Sequence, residues 1–353
     1  MHHHPALPRS FRVAALTVAL AVVTPGFREI RAQTLDPKGT FSFTFENDTF
    51  AGTDKNYTNG FLFQWQSPSE GVPYVLRWVA DHSLFLLPNN GAVRWGAGFG
   101  QNIYTPSDTQ ARIPDPTDRP YAGWLYGSIS LTSYAEAAYE ARRMNVTKYG
   151  AIELQVGVVG PSALGEQVQN NVHDLFNFKR ALGWDYQLKD QPGANLVLTR
   201  QWRINLPLDA DDPQGLAGGF VPSFTASLGN VQTYGSAGLL VRFGSNLEAD
   251  FGPPRIRPAP AGSGFFQPDG RWGWYAFAGG ELRAVAVDVF LDGNTWRDSP
   301  SVDKRNFVGD GVFGFALVMP WARLSYSHTF RSREFDAQKE LQQFGSITLS
   351  FRL

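Results

Sequence analysis

Apolar and polar residues alternate with a period of two along most of the chain, as they do in strands that have one apolar face. Leu324, Tyr326 and Phe330 alternate with Ser325, Ser327 and Thr329. Ile347, Leu349, Phe351 and Leu353 stand against Ser346, Thr348, Ser350 and Arg352, and Ile152, Leu154, Val156 and Val158 against Ala151, Glu153, Gln155 and Gly157. The pattern predicts about twelve strands, at 39–48, 57–67, 92–104, 122–135, 147–160, 194–206, 218–229, 235–245, 271–291, 306–319, 321–331 and 342–353.

A soluble sandwich buries such apolar faces between two sheets, whereas an outer-membrane barrel turns them to lipid and keeps a polar interior. The N-terminus favours the barrel. Arg9 and Arg12 precede an apolar run, Val13 to Val23, and a Pro-Gly break leads to a cleavage site after Ala32; this reads as a secretory signal peptide. The run falls short of the roughly 20 residues that a helical span needs, and no later segment is apolar enough to be one. Strands near ten residues, Trp and Tyr close to strand ends and a final strand reaching the chain terminus agree with this reading. The expectation is an all-β fold, a transmembrane antiparallel β-barrel over 33–353 behind a leader at 1–32, monomeric in the Gram-negative outer membrane.

An even strand count brings both termini to the periplasm, so the links after the odd strands are extracellular. Three of them carry most of the unusual polar sequence, at 48–57, 104–121 and 161–193, the last with a helical look at QVQNNVHDLF. Two periplasmic links are too long for simple turns: 68–91, with an amphipathic VLRWVADHSLFLL, and the Pro-Gly-rich 246–270.

Composition narrows the function. Of 353 residues only 18% are charged and the net charge is -1, which gives no footprint for nucleic acid. Cys is absent, so stability comes from packing or from the membrane, and a zinc-thiolate site is excluded. Aromatics at 14%, with 36 Gly and 23 Pro, suit strands and turns.

Outside the leader the histidines are His82, His173 and His328. His328 is in phase with the apolar face of its strand and reads as part of an aromatic girdle; His82 reads as a solvated residue of a periplasmic link. His173 lies in the polar extracellular run. A hydrolase needs a general base, a carboxylate and donors for an oxyanion. His173 can supply the first, Asp48 the second or a cation ligand, and Asn47, Thr58 and Gln169 the donors. No G-x-S-x-G motif is present and Ser162 reads as a turn residue, so the nucleophile is water activated by His173. Oxygen ligands without Cys favour a hard cation such as calcium, bound at Asp48. Arg112, Asp118 and Arg119 read either as a solvated loop or as a binding site for an anionic head group. Asp54, Asn56 and Asn59 read as turn formers.

The blocks ENDTF with NYTNGF, then QNIYTPS with TDRPYAGW, then VGPSALGEQVQNNVHDLF with GWDYQL resemble, in this order, the outer-membrane lipid A 3'-O-deacylase family. The resemblance runs in pieces from Phe41 to Leu188. It implies a twelve-stranded barrel with a calcium-dependent site at the outer-leaflet rim that removes the 3'-linked acyloxyacyl chains of lipid A, the lipid of lipopolysaccharide. His173 would be the base acting on water, Asn47 and Asp48 the Asn-Asp pair needed for activity, Thr58 the Thr of the YT-G block, and Gln169 a residue lining the site. Arg112 falls where a basic pair contacts phosphate, with Ala111 in the partner position, and Lys179 stands where an acidic group is expected. The competing readings are an outer-membrane phospholipase, which calls for a Ser nucleophile beside the His, and a non-enzymatic channel or structural barrel.

Overall fold

A computed structural model of the chain describes residues 36–353 other than 52–55, 84, 89–90, 140–143, 210, 213, 257 and 259–261. The expected leader at 1–32 and the turn residue Asp54 lie outside the described residues. Twelve antiparallel strands, each bonded to its sequence neighbours, close into one barrel when the last pairs with the first. They are β1 Thr40–Asn47, β2 Asn56–Gln66, β3 Ala92–Thr105, β4 Ala122–Tyr139, β5 Met144–Val159 and β6 Gln191–Pro207. The second half is β7 Ala217–Gly229, β8 Gln232–Gly244, β9 Gly273–Asp288, β10 Phe307–Val318, β11 Ala322–Arg331 and β12 Gln342–Arg352. Closure leaves no strand edge unpaired, the condition for β-structure inside a bilayer.

Strand phase separates lumen from lipid. On β1, Thr40, Ser42, Thr44 and Glu46 are buried in the lumen, while Phe41, Phe43 and Phe45 point outwards. Hydroxyl pairs lock the lumen side of the β1–β12 seam, Ser42 to Ser350 at 2.8 Å and Thr44 to Thr348 at 3.1 Å. Outside, rings meet across strands: Phe43 stacks on Phe63 at 4.8 Å, Phe61 lies 5.9 Å from Phe99, and Trp274 stacks on Phe315. His328 belongs to this outer face, 4.9 Å from Phe330 and 5.6 Å from Phe313, as its phase predicts.

The expected strands are found, with ends shifted by a few residues. The β4–β5 hairpin is the longest departure, reaching Tyr139 and Met144 rather than 135 and 147. The 68–91 link contains the amphipathic helix α1, Tyr74–Asp81. The β5–β6 link carries α2, Gly165–Phe176, and β9 runs into a one-turn helix α3, Val289–Asp292, capped by the Asp288 carboxylate accepting from the Phe290 N–H.

The Pro-Gly-rich β8–β9 link corrects the reading of 246–270 as a periplasmic loop, because it turns back and fills the lumen. Asp250 meets Arg242 at 2.8 Å, Arg323 and the Tyr275 hydroxyl. Further along, wall side chains hold its backbone: Thr348 donates to the Pro254 carbonyl, Gln201 to Gly262 and Arg331 to Pro258. Phe251, Phe265 and Phe266 are buried, with the Arg203 guanidinium 4.8 Å over Phe251 and that of Arg94 5.9 Å over Phe265. Irregular backbone at membrane depth is tolerated where protein groups satisfy it. A filled lumen also opposes the open-channel reading.

Candidate active site

Phase also decides on which side of the wall the candidate residues lie. Asn47 is opposite Asn59, two residues beyond the Phe45–Phe61 pair, so both share the lipid-facing side; Glu46 and Gly60 face the lumen. The β2–β3 register shifts between Tyr57 and Asn59. Tyr57 turns inward, 5.4 Å from Tyr104 and 5.1 Å from Phe344, and the bulge leaves both Thr58 and Asn59 on the outer side. The Thr58 hydroxyl is 2.7 Å from that of Thr105, which has the outward phase of Gln101 and Ile103. This polar row therefore caps the lipid-facing aromatic wall of Phe61, Phe63 and Phe99, outside the barrel.

The row is buried because two segments fold onto it. The first is the single 3-10 turn Asp48–Ala51. The Asn47 Oδ1 accepts from the Thr49 N–H at 2.7 Å and from the Thr49 hydroxyl, which fixes the turn and with it Asp48, fully buried. The turn lies against the outer face of β12: a Cβ on Gly345 would stand 2.6 Å from the Phe50 Cβ, so only glycine admits it. Phe50 then packs edge-on against Phe45 and Tyr326.

The second cover is the Pro161–Ala163 turn with α2 and the segment that follows. A Cβ on Gly123 would meet Ala163 Cβ at 3.0 Å and the Gly165 backbone N at 3.3 Å, so glycine again allows close approach to the outer wall. Gln101 reaches from the wall to the cover, its Nε2 donating to the Ala163 carbonyl at 2.6 Å. Ile103, Tyr121, Ala181 and Trp184 form an apolar bed beneath the cover, with Val168 against it. Asn177 ends α2 in the left-handed conformation at φ 59°, turning the chain back on the helix.

Gln169 and His173, four residues apart, share the buried face of α2. The Gln169 Oε1 accepts from Trp184 Nε1–H at 2.9 Å, which sets the amide orientation. Its Nε2 is buried with no hydrogen-bond partner among the described residues, so it is a donor free for a ligand. His173 Nδ1 is 2.6 Å from the Lys179 carbonyl. A carbonyl can only accept, so Nδ1 carries the proton and, in the neutral ring, Nε2 is the acceptor nitrogen. The backbone thus supplies the orienting acceptor that a carboxylate would otherwise provide, at the position where the resemblance implies an acidic residue. Phe178 packs edge-on against the ring at 5.9 Å. Next to it, hydrogen bonds from Arg180 hold the exposed Asp174 carboxyl below its usual range.

Asn47, Asp48 and Thr58 lie on the outer side of the wall where β12, β1 and β2 meet, and Gln169 and His173 on α2, which packs on the adjoining β3 and β4. The structure separates the three head-group candidates. Arg112 is exposed on the β3–β4 link. Asp118 is a turn former whose carboxylate accepts from the Ser107 and Arg119 N–H groups. Arg119 points away from the site: it is buried 3.2 Å from Glu334, with its guanidinium over Tyr104 on the lumen side. Ser162 occupies an exposed turn bonded to Asp190, which fits its reading as a turn residue. Asn59, read as a turn former, is a buried wall residue opposite Asn47. Gln101, Thr105 and Trp184 contact the candidate residues or their cover although the sequence pattern does not single them out; the outward phase of QNIYT is the signal for the first two.

A hard divalent cation fits the donors present. Asp48 is a fully buried carboxylate at the end of β1, and the Thr58 and Thr105 hydroxyls pair on the same outer side of the wall; all are oxygen donors of the kind such an ion takes. Among the described residues no three His, Cys, Asp or Glu side chains come together, so such an ion would rely on one carboxylate and neutral oxygens.

The outer membrane protein LpxR family model matches residues 14–353. The chain belongs to the LpxR family. This is the lipid A 3'-O-deacylase family that the three sequence blocks resemble, and it places the chain among the lipid A deacylases of the Gram-negative outer membrane. Among solved structures, LpxR from Salmonella typhimurium is similar with a TM-score of 0.67 at 19% identity, covering 88% of this chain and 99% of that one. The translocator domain of autotransporter NalP from Neisseria meningitidis matches at a TM-score of 0.33 and 9% identity, covering 90% of this chain and 88% of its own. Comparison with curated proteins finds no match.

Proposed function

We propose that this LpxR-family chain is a carboxylic ester hydrolase that cleaves the 3'-linked acyloxyacyl ester of lipid A within the outer leaflet, with His173 activating water. The observation that carries the reading is the outward phase of Asn47, Thr58 and Thr105, on the same side of the wall that α2 covers at β3 and β4. An ester of a lipid still seated in its leaflet reaches a polar site on the outer wall without being extracted, and its chains run down over Phe61, Phe63 and Phe99. The enzyme acts as a monomer, and exposed Arg112 meets a phosphate of the head group.

In this reading the His173 Nε2 takes a proton from water as the water oxygen attacks the acyl carbonyl carbon. The carbonyl oxygen becomes an oxyanion held by the Gln169 Nε2–H. Collapse of the tetrahedral intermediate breaks the bond to the sugar oxygen, which takes the proton back from His173. The products are the acyloxyacyl carboxylic acid and a free 3'-hydroxyl. Calcium, held by Asp48 with Thr58 and neighbouring carbonyls, would supply positive charge for the carbonyl oxygen; Asn47 positions Asp48 through the Thr49 turn.

Mass spectrometry of lipid A from a Gram-negative host expressing the chain tests this, with calcium supplied or chelated. The expected outcome is loss of the 3' acyloxyacyl mass, dependent on calcium, with His173→Ala slowing it about 10²–10⁴-fold and Asp48→Ala abolishing it. Unaltered lipid A from a correctly folded barrel in every condition would overturn the function. Deacylation undiminished in His173→Ala would overturn the mechanism alone.

A further inference from the structure

We infer that the β2–β3 link is an interfacial anchor that beds α1 in the inner, phospholipid leaflet of the outer membrane. A periplasmic link would ordinarily hang below the barrel in water. This one climbs onto the outside of the wall. On β5, Tyr149 faces the lumen, where its ring lies 5.2 Å from Phe251, so the adjacent Gly150 faces outward. A Cβ at Gly150 would meet the Leu86 carbonyl at 2.3 Å and Leu87 Cα at 3.0 Å, so the link lies directly on that outward surface. Two more outward side chains hold it there: Arg200 on β6 donates to the Leu86 carbonyl and Ser133 on β4 to the Pro88 carbonyl.

The link therefore occupies wall that would otherwise touch lipid, near the periplasmic ends of β3 to β5. Its own inner side is used up, with Val72, Leu87 and Pro88 buried and Leu76, Val79 and Ala80 half-buried. The side turned away from the wall is apolar nonetheless. Tyr74 is 81% exposed, Val75 67%, Trp78 52% and Phe85 78%. At helical spacing Tyr74, Val75 and Trp78 form one face, with Arg77 and Asp81 exposed along its edge. His82 stacks on Trp78 at 4.5 Å and its Nδ1 bonds the Trp78 carbonyl at 2.8 Å, which fixes the end of the helix.

An exposed face of Tyr, Val, Trp and Phe flanked by Arg is the composition of a helix lying in the headgroup zone. The occupant is phospholipid because the face continues the barrel's own lipid-facing surface, with the Trp65–Trp95 pair standing on β2 and β3, the strands that the link connects. Arg77 at the edge suits a lipid phosphate.

The chain has no Cys, so single cysteines can carry a nitroxide without background. The full chain would be placed in nanodiscs of phosphatidylethanolamine and phosphatidylglycerol, labelled at Val75→Cys, Trp78→Cys or Phe85→Cys. Ile129→Cys on the lipid-facing wall and Asp211→Cys on an exposed periplasmic turn give the apolar and aqueous references. Labels at 75, 78 and 85 are expected to collide with oxygen more than with a water-soluble nickel chelate, as at 129, and 211 is expected to show the reverse. Nickel access at all three sites equal to that at 211 would overturn the anchor. Loss of both accessibilities with dipolar broadening between labels would also overturn it, assigning the face to a second copy.

Discussion

Gln169 is committed on one side only. Its Oε1 is taken by Trp184 and its Nε2 is buried without a partner, and a buried unpaired donor is costly enough to need a reason. The oxyanion of the proposed reaction would supply one. Gln169→Ala is therefore expected to lower kcat about 10²–10³-fold with little change in KM, whereas Leu175→Ala on the exposed side of the same helix leaves both alone. Steady-state deacylation of lipid A micelles separates the two parameters; a Gln169→Ala enzyme of full kcat would move the donor elsewhere. At this scale the sequence was legible where a candidate is marked by its side chain. Asp48 and Thr58 stand out as polar residues at the outer ends of apolar strands, and His173 as the histidine of a polar outer link. The Lys179 carbonyl, which selects the His173 tautomer, left no trace, because every residue at that position has a carbonyl. Arg119 misled for the opposite reason: an Arg in a polar loop looks available until packing places it against Glu334 and Tyr104.

The elements of the site are a rigid wall and two short covers, and outward glycines let each cover touch the wall. Strand existence was readable from period-two alternation, and so was the face of residues within regular stretches; a bulge, at Thr58 in β2 or between Thr233 and Tyr234 in β8, adds a residue and cannot be seen in an alternating pattern. The covers were readable only as polar links. Gly345 is the sharper of the two contacts. A methyl there drives into Phe50 Cβ and its ring at 2.6–2.9 Å, lifting the Asp48–Ala51 turn from β12. Gly345→Ala is expected to cost about 1–3 kcal/mol locally and to reduce deacylation through displacement of Asp48, while the barrel itself stays folded. Gly311→Ala on β10, where a Cβ meets nothing within 4 Å, is the matched control. Activity measured beside heat-modifiable migration of the folded barrel distinguishes the two effects. Equal activity in both variants would mean that the turn accommodates the methyl without moving Asp48.

On the scale of the whole molecule, lumen and outer wall are chemically separate but mechanically joined. The plug's far end reaches the inner side of the strands that carry the site: the Ile256 N–H donates to Glu46 Oε1 at 3.3 Å and Arg255 lies 3.8 Å from the same carboxylate. Glu46 precedes Asn47 and Asp48 on the chain, so support applied from inside is felt on the outside one residue later. This arrangement was hidden from the sequence because a Pro-Gly-rich link reads the same whether it hangs in the periplasm or turns back into a barrel; only the matching Arg, Gln and Thr side chains on distant strands reveal the difference. Replacing residues 253–264 by a short Gly-Ser linker removes that support and empties much of the lumen. In planar bilayers the full chain is expected to pass no steady ion current and the replaced chain to show stepwise conductance. Deacylation should fall as well, because Glu46 loses both Arg255 and the Ile256 N–H, and the strand end that carries Asn47 and Asp48 loses its inner support. Conductance that appears with activity intact would show that the plug only seals the barrel. Lost activity in a barrel that stays closed would instead make the plug a brace, with the remaining lumen side chains sufficient as the seal.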